Sequence, residues 1–151
     1  MKMKNIRLFA CMTAVLLFLS GCGLSSPTSE DDIRIGIALA CESTGAEAGF
    51  GNLLAEKLKK AGMNVDLEFS GDAVSVQKTQ IQTMVANASS CIVLARAKDS
   101  SDDLSAALGS AKAAAIPVIE IDASRAEADP ENEAQSIYNQ ISEFCENSTK
   151  F

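Results

Sequence analysis

Residues 33–40, IRIGIALA, alternate so that Ile33, Ile35, Ile37 and Leu39 share one face. The other face carries Gly36, Ala38 and Ala40, small enough for a helix to approach closely. A strand with two apolar faces must be covered on both sides, as in the interior of a parallel sheet. Similar stretches recur three times. Val65, Leu67 and Phe69 alternate with Asp66 and Glu68, the pattern of a half-exposed edge strand. Residues 91–97, CIVLARA, are apolar enough for burial on both faces. Pro117 opens a fourth strand over 118–121, since proline is tolerated at the first residue of a strand.

Between these strands the apolar residues return at helical spacing. Residues 47–61 place Phe50, Leu53, Leu54, Leu58 and Ala61 on one stripe, and Gly62 is a suitable stop. Residues 74–87 form a second helix, with Gln77, Ile81, Met84, Val85 and Ala88 turned inward. Asp99-Ser100-Ser101-Asp102 caps a third, whose stripe is Leu104, Ala107, Leu108, Ala111 and Ala115. The chain then reads as polar from Asp122 to Asp129-Pro130. Asp at the cap and Pro at the first helical position start a last helix, ending near Asn147. Its apolar face is Ala134, Ile137, Tyr138, Ile141, Phe144 and Cys145.

Strands alternating with helices predict an α/β fold: one four-stranded parallel sheet with helices on both faces. Right-handed crossovers and an edge-like second strand give the order 2-1-3-4. The winding direction then reverses between strands one and three. Ligands of open α/β sheets bind at the carboxyl ends of the strands flanking that point. The loops of interest are therefore 41–45, 70–72, 96–99 and 122–125.

The amino-terminal segment has a different character. Lys2, Lys4 and Arg7 precede an apolar run over 8–19, followed by Leu19-Ser20-Gly21-Cys22. A helix over that run reaches roughly 18 Å, short of the roughly 30 Å hydrocarbon core, so a signal peptide fits better than a spanning helix. The last four residues look like the lipobox of bacterial lipoproteins. That resemblance implies cleavage after residue 21, a diacylglyceryl thioether on Cys22, and anchoring of an extracytoplasmic domain to the cell membrane by two or three acyl chains. Residues 22–32 are then the lipidated cysteine and a flexible linker.

Removing residues 1–21 takes three positive charges and no acid, so the formal net of −7 becomes −10. That excludes a nucleic-acid footprint or electrostatic binding to anionic lipid. The chain has no His, the commonest general base and metal ligand. Cys41, Cys91 and Cys145 remain in the domain, an odd number whose spacing matches no zinc motif. Cys41 and Cys91 fall at opposite ends of neighbouring strands, too far apart to bridge. Cys91 and Cys145 fall at the same end.

The stretches IGIALA, EKLKKAGMNVDLEFS, QKTQIQTMVANASSCIVLA and AKAAAIPVIEID resemble, in order, the amino-terminal lobe of type I periplasmic sugar-binding proteins of ABC transporters. The most specific are Gln77-x-x-Gln80-Ile81 and the run ending Ala-Ile-Pro-Val-Ile-x-x-Asp122. The resemblance implies a binding module for a sugar or another small polar ligand, no cofactor, and an ABC permease or a second lobe as partner. It implies a flavodoxin-like half of a periplasmic binding protein, in which Asp122 accepts sugar hydroxyls and Phe50 is the candidate stacking aromatic; Arg96, Glu42, Ser43 and Arg125 are the other candidate ligand residues, by their place in the loops at the carboxyl ends of the strands. The arginine that the family often places next to the acid is Ala123 here. Residues 33–147 read as one lobe and 148–151 as a tail, so a ligand at its edge would be half exposed. Two other readings stay open: a remnant without ligand, and a domain similar to the phosphotransferase enzyme B class, with Cys41 carrying phosphate.

Overall fold

A computed structural model describes residues 33–98 and 103–148. The lipobox with Cys22 and the proposed cap at 99–102 lie outside the described residues. The elements run β1 (Arg34–Leu39), α1 (Ala46–Lys60), β2 (Asn64–Phe69), α2 (Val74–Ala86), β3 (Cys91–Ala95), α3 (Ser105–Ala113), β4 (Val118–Glu120), α4 (Ala123–Ala128) and α5 (Pro130–Ser148). The four strands form one parallel sheet in the order β2-β1-β3-β4, as the sequence predicts.

Strand periodicity divides the core in two. Ile35, Ile37, Leu39, Cys91, Val93 and Ala95 face α1, α4 and α5, packing with Phe50, Leu54, Leu58, Ala126, Ala134, Ile137 and Ile141. Ala38, Ile92 and Leu94 face α2 and α3, packing with Ile81, Met84, Leu104, Ala107 and Ala111. Gly36 is what lets α2 settle on its side of the sheet. A Cβ there would stand 2.5 Å from the Met84 sulfur, closer than real atoms approach. β2 is half exposed along its length, whereas every residue of β3 is buried. A bidentate contact of Arg34 Nη1 with both oxygens of Asp66, at 3.1 and 3.0 Å, ties the edge strand to β1.

The structure corrects the sequence reading at several places. Ala61, expected on the apolar stripe of α1, is the exposed residue that follows the helix. Ala88 and Ala115 do not belong to the inner stripes of α2 and α3. Each lies just past its helix, exposed, with φ of 54° and 57°. Ser89 N–H donates to Met84 O and Ala88 N–H to Val85 O. Ile116 and Ala115 donate likewise to Ala111 O and Lys112 O. This is the Schellman arrangement, found again at Gly62, with alanine in the seat glycine normally takes. Residues 123–128 form the additional helix α4, where the sequence reads as a polar connection. Phe144 is 39% exposed rather than buried along α5. The Asp129 cap is as expected, Oδ1 accepting from Asn132 N–H at 3.1 Å.

Cys41, Cys91 and Cys145 are thiols. Cys91 is wholly buried, and burial pushes its pKa up to about 12, with Cys145 adding to the shift.

Candidate functional site

The parallel register lines up the carboxyl ends of the strands. Leu39 stands opposite Phe69 and Ala95, and Leu94 opposite Glu120. The residues that follow, Ala40, Ser70, Arg96 and Asp122, therefore begin their loops along one edge, with roughly 4.8 Å between neighbouring strands. This edge includes the β1/β3 reversal, and it gathers the predicted residues Glu42, Ser43, Arg96, Asp122 and Arg125.

Two devices hold the loops. The turn after β2 is latched to the end of β1: Ser70 N–H donates to Leu39 O at 2.9 Å, Gly71 N–H to Cys41 O at 3.1 Å, and Asp72 N–H to Ala40 O. Gly71 and Asp72 both adopt left-handed backbone, with φ of 57° and 58°. The Glu42 carboxylate lies so close over Gly71 that a Cβ there would be 2.9 Å from its Oε1. The second device is Gln77 of α2, wholly buried. Its Nε2 donates to Ala95 O at 2.7 Å and its Oε1 accepts from Ala97 N–H at 2.9 Å. One amide thus brackets the chain leaving β3. Gln80, one turn on, donates from Nε2 to Phe69 O at 3.0 Å and holds the end of the edge strand.

The predicted residues take unequal places. Asp122 caps α4: its Oδ1 accepts from the Ser124 N–H at 2.9 Å and hydroxyl at 2.7 Å. These bonds hold its carboxyl below the usual carboxylate range. Arg96 makes a fork with Glu120, Nε to Oε2 at 2.8 Å and Nη2 to Oε1 at 2.7 Å. The fork raises the Arg96 pKa and lowers that of Glu120. Arg125 reaches Glu133 of α5 at 2.9 Å. Both guanidiniums are therefore neutralised within the fold. Ser43 is exposed in the 41–45 loop. Phe50 is 0% exposed and packs in the core among α1, α5 and the sheet. Its ring cannot stack on a ligand there, because no face of it reaches solvent.

Sequence reasoning passed over Glu47 as a site residue. It lies in the first turn of α1, is 7% exposed, and its Oε1 has no hydrogen-bond partner. Burial raises its pKa against bonds from the Cys41 N–H and thiol, and the charges of Glu127 and Asp72 raise it further. Cys41 is shifted in turn to about 11, by burial first and then by Glu47. The only signal in the sequence was position, an acid at a helix start after the first strand, and that alone reads as a dipole partner.

Glu47 gives a pH prediction with a definite sign. Its folded pKa lies above its unfolded value, so the native state holds the proton more tightly. As pH rises through and above the unfolded value of about 4.3, Glu47 removes stability. Glu47→Gln is expected to be more stable than the wild type at pH 7, with the gain shrinking toward pH 4. Urea unfolding at both pH values measures it; an equal difference at both would exclude the effect.

Two surface grooves lie elsewhere. One of about 610 Å³ runs between β2 and α2, lined by Asp66, Glu68, Thr79 and Gln80. The other, about 440 Å³, lies where Leu108 and Ile116 meet Val118 and Phe144. Neither includes Cys41, Glu47 or Asp122.

Comparison with solved structures bears on what this arrangement is. An ABC transporter solute-binding protein from Clostridium phytofermentans with bound β-D-glucose is 29% identical, with a TM-score of 0.52 over 56% of this chain and 26% of that one. A galactofuranose-binding protein is 21% identical, with a TM-score of 0.54 over 60% of this chain and 30% of its own. A periplasmic solute-binding protein from Actinobacillus succinogenes with bound D-allose is 17% identical, with a TM-score of 0.53 over 60% and 32%. The chain thus spans between 26% and 32% of the length of these proteins. No family model and no curated protein matches the sequence. Among the described residues no helix is long and apolar enough to cross a membrane. The structural neighbours are binding proteins rather than enzymes, and the described domain is similar in fold to one lobe of the ABC transporter solute-binding proteins.

Proposed function

We propose that this chain is an extracytoplasmic binding module, tethered to the cell membrane by lipid on Cys22, that takes a sugar or another small polar ligand at the carboxyl ends of β1, β3 and β4. The likeness to sugar-binding proteins carries the reading. The order β2-β1-β3-β4 supports the placement, since it sets the loops after β1 and β3 on either side of the reversal. Asp122 keeps a role in it: one oxygen caps α4, and a carboxylate has lone pairs for further donors. An ABC permease or a second lobe is the partner this reading calls for. Titration calorimetry of the full chain in detergent against hexoses and pentoses tests it. An open edge should give weak binding, with a Kd of about 1 mM, or about −4 kcal/mol. No heat with any sugar at tens of millimolar would leave the remnant reading in its place. Labelled palmitate tests the anchor, with incorporation expected in the wild type and lost in Cys22→Ser.

The phosphocysteine alternative has physical chemistry against it. A nucleophilic cysteine needs a lowered pKa and electropositive surroundings. Cys41 has neither: burial and the Glu47 carboxylate disfavour its thiolate.

A further inference from the structure

The two edges of the sheet are built differently. β2 carries Asp66 and Glu68 along its length, and Gln80 Nε2 donates to Phe69 O at its end. Charges and a side-chain cover of this kind keep a strand edge from pairing with another chain. β4 carries one charge, Glu120, and Arg96 neutralises it. Pro117 O accepts from Ile92 N–H at 3.0 Å, and Ile121 N–H donates to Leu94 O at 2.9 Å. With Val93 opposite Ile119, residues 117, 119 and 121 turn their backbone groups toward β3, and Val118 and Glu120 turn theirs outward. Among the described residues those outward groups meet no partner. The groove of about 440 Å³ follows this edge. Leu108 and Lys112 of α3 wall it on one face of the sheet and Phe144 of α5 on the other, with Ile116 and Val118 between them.

We infer that the β4 edge is the interface for a second copy of this chain, the two β4 strands pairing antiparallel about a two-fold axis at Ile119 to join both sheets into one. The charges select a second copy as the occupant. Lys112 and Glu120 line the same groove, yet Glu120 is held by Arg96, and Lys112 is in no ion pair among the described residues. A two-fold contact sets the same patch against itself, so each cross-pair is made in both directions. With Ile119 on the axis, Val118 exchanges both backbone bonds with the partner's Glu120, and Glu120 with the partner's Val118, so every outward group is matched. Lys112, in the last turn of α3, stands at the amino end of β4 beside Val118, where its ammonium meets the partner's Glu120. Arg96 keeps the paired Glu120 carboxylates from repelling across the axis. Phe144, exposed in one copy, covers the partner's edge on the α5 face. Neither Asp122 nor Glu42 lines the groove, so ligand binding and self-association are separate properties of the fold.

Sedimentation of the full chain in density-matched detergent at about 100 µM tests this, together with carbodiimide cross-linking of a mixture of unlabelled and heavy-isotope-labelled protein. A dimer is expected, with Lys112 joined to Glu120 in peptides that combine both isotopes. Val118→Pro removes an outward N–H where an edge strand tolerates proline and leaves the β3 ladder intact. Phe144→Glu and Lys112→Glu, both at exposed positions, put acids on the seam. Each substitution should weaken dimerisation by about tenfold or more, since the two-fold axis counts every lost contact twice. If Val118→Pro fails to fold, the two exposed charge substitutions decide. A monomer would overturn the interface and leave the sugar reading standing. A dimer that survives all three substitutions, or whose mixed-isotope links avoid Lys112 and Glu120, would put self-association elsewhere, such as the amino-terminal apolar segment, and overturn it as well.

Discussion

Replacing Phe50 by alanine is expected to cost about 3–5 kcal/mol of stability, the range for truncating a buried phenylalanine. Phe50 is wholly enclosed, the largest side chain of the cluster joining α1 and α5 to the sheet. Its removal loses the transfer energy of the ring and leaves a cavity that neighbouring helices and strands cannot fully close. A domain of this size holds about 5–15 kcal/mol in all. The variant should therefore unfold at a much lower urea concentration. The experiment also separates two roles for one residue. A stacking aromatic would lose sugar affinity on truncation and little stability. Phe50→Leu should recover part of the stability, since it restores apolar volume. A Phe50→Ala variant as stable as the wild type would contradict the core placement.

Gln77→Leu is the second large effect, expected to cost about 3 kcal/mol. The side chain keeps its approximate volume, so packing changes little. What is lost is the shared partner of Ala95 C=O and Ala97 N–H, both in buried residues, at about 1–3 kcal/mol for each stranded group. Hydrogen exchange offers a local measurement. The Ala97 amide should exchange faster in the variant, by more than global destabilisation accounts for, because the bracket on the post-β3 chain is gone. An Ala97 amide protected as in the wild type would show that Gln77 acts only through packing. The consequence reaches the candidate site, because Arg96 lies between the two bonded residues.

The fold was largely legible because its strongest signals are local and periodic. The alternation in 33–40 identified a central strand, and the polar alternation in β2 identified an edge. Those two assignments with right-handed crossovers suffice for the order 2-1-3-4. Helix ends were less legible where alanine replaced glycine. Ala88 and Ala115 carry no stop signal in the sequence, and their left-handed backbone is set by the Schellman bonds. α4 was missed for a related reason. Six residues, ASRAEA, are too short to show a helical stripe. The helix exists because Asp122 caps it and Ala126 docks in the core.

The candidate site divides along the same line. By itself the sequence determined the strand order and thus the edge where Glu42, Ser43, Arg96, Asp122 and Arg125 gather, because periodicity and chain chirality are properties of short segments. Only the tertiary structure decided what each charge does there. Arg96 meets Glu120 from the neighbouring strand, Arg125 meets Glu133 from the next helix, and Phe50 is consumed by the core. Glu47 is left as a buried acid among acids. Charge pairing depends on distances of a few ångströms between segments far apart in sequence, and no local pattern encodes those distances.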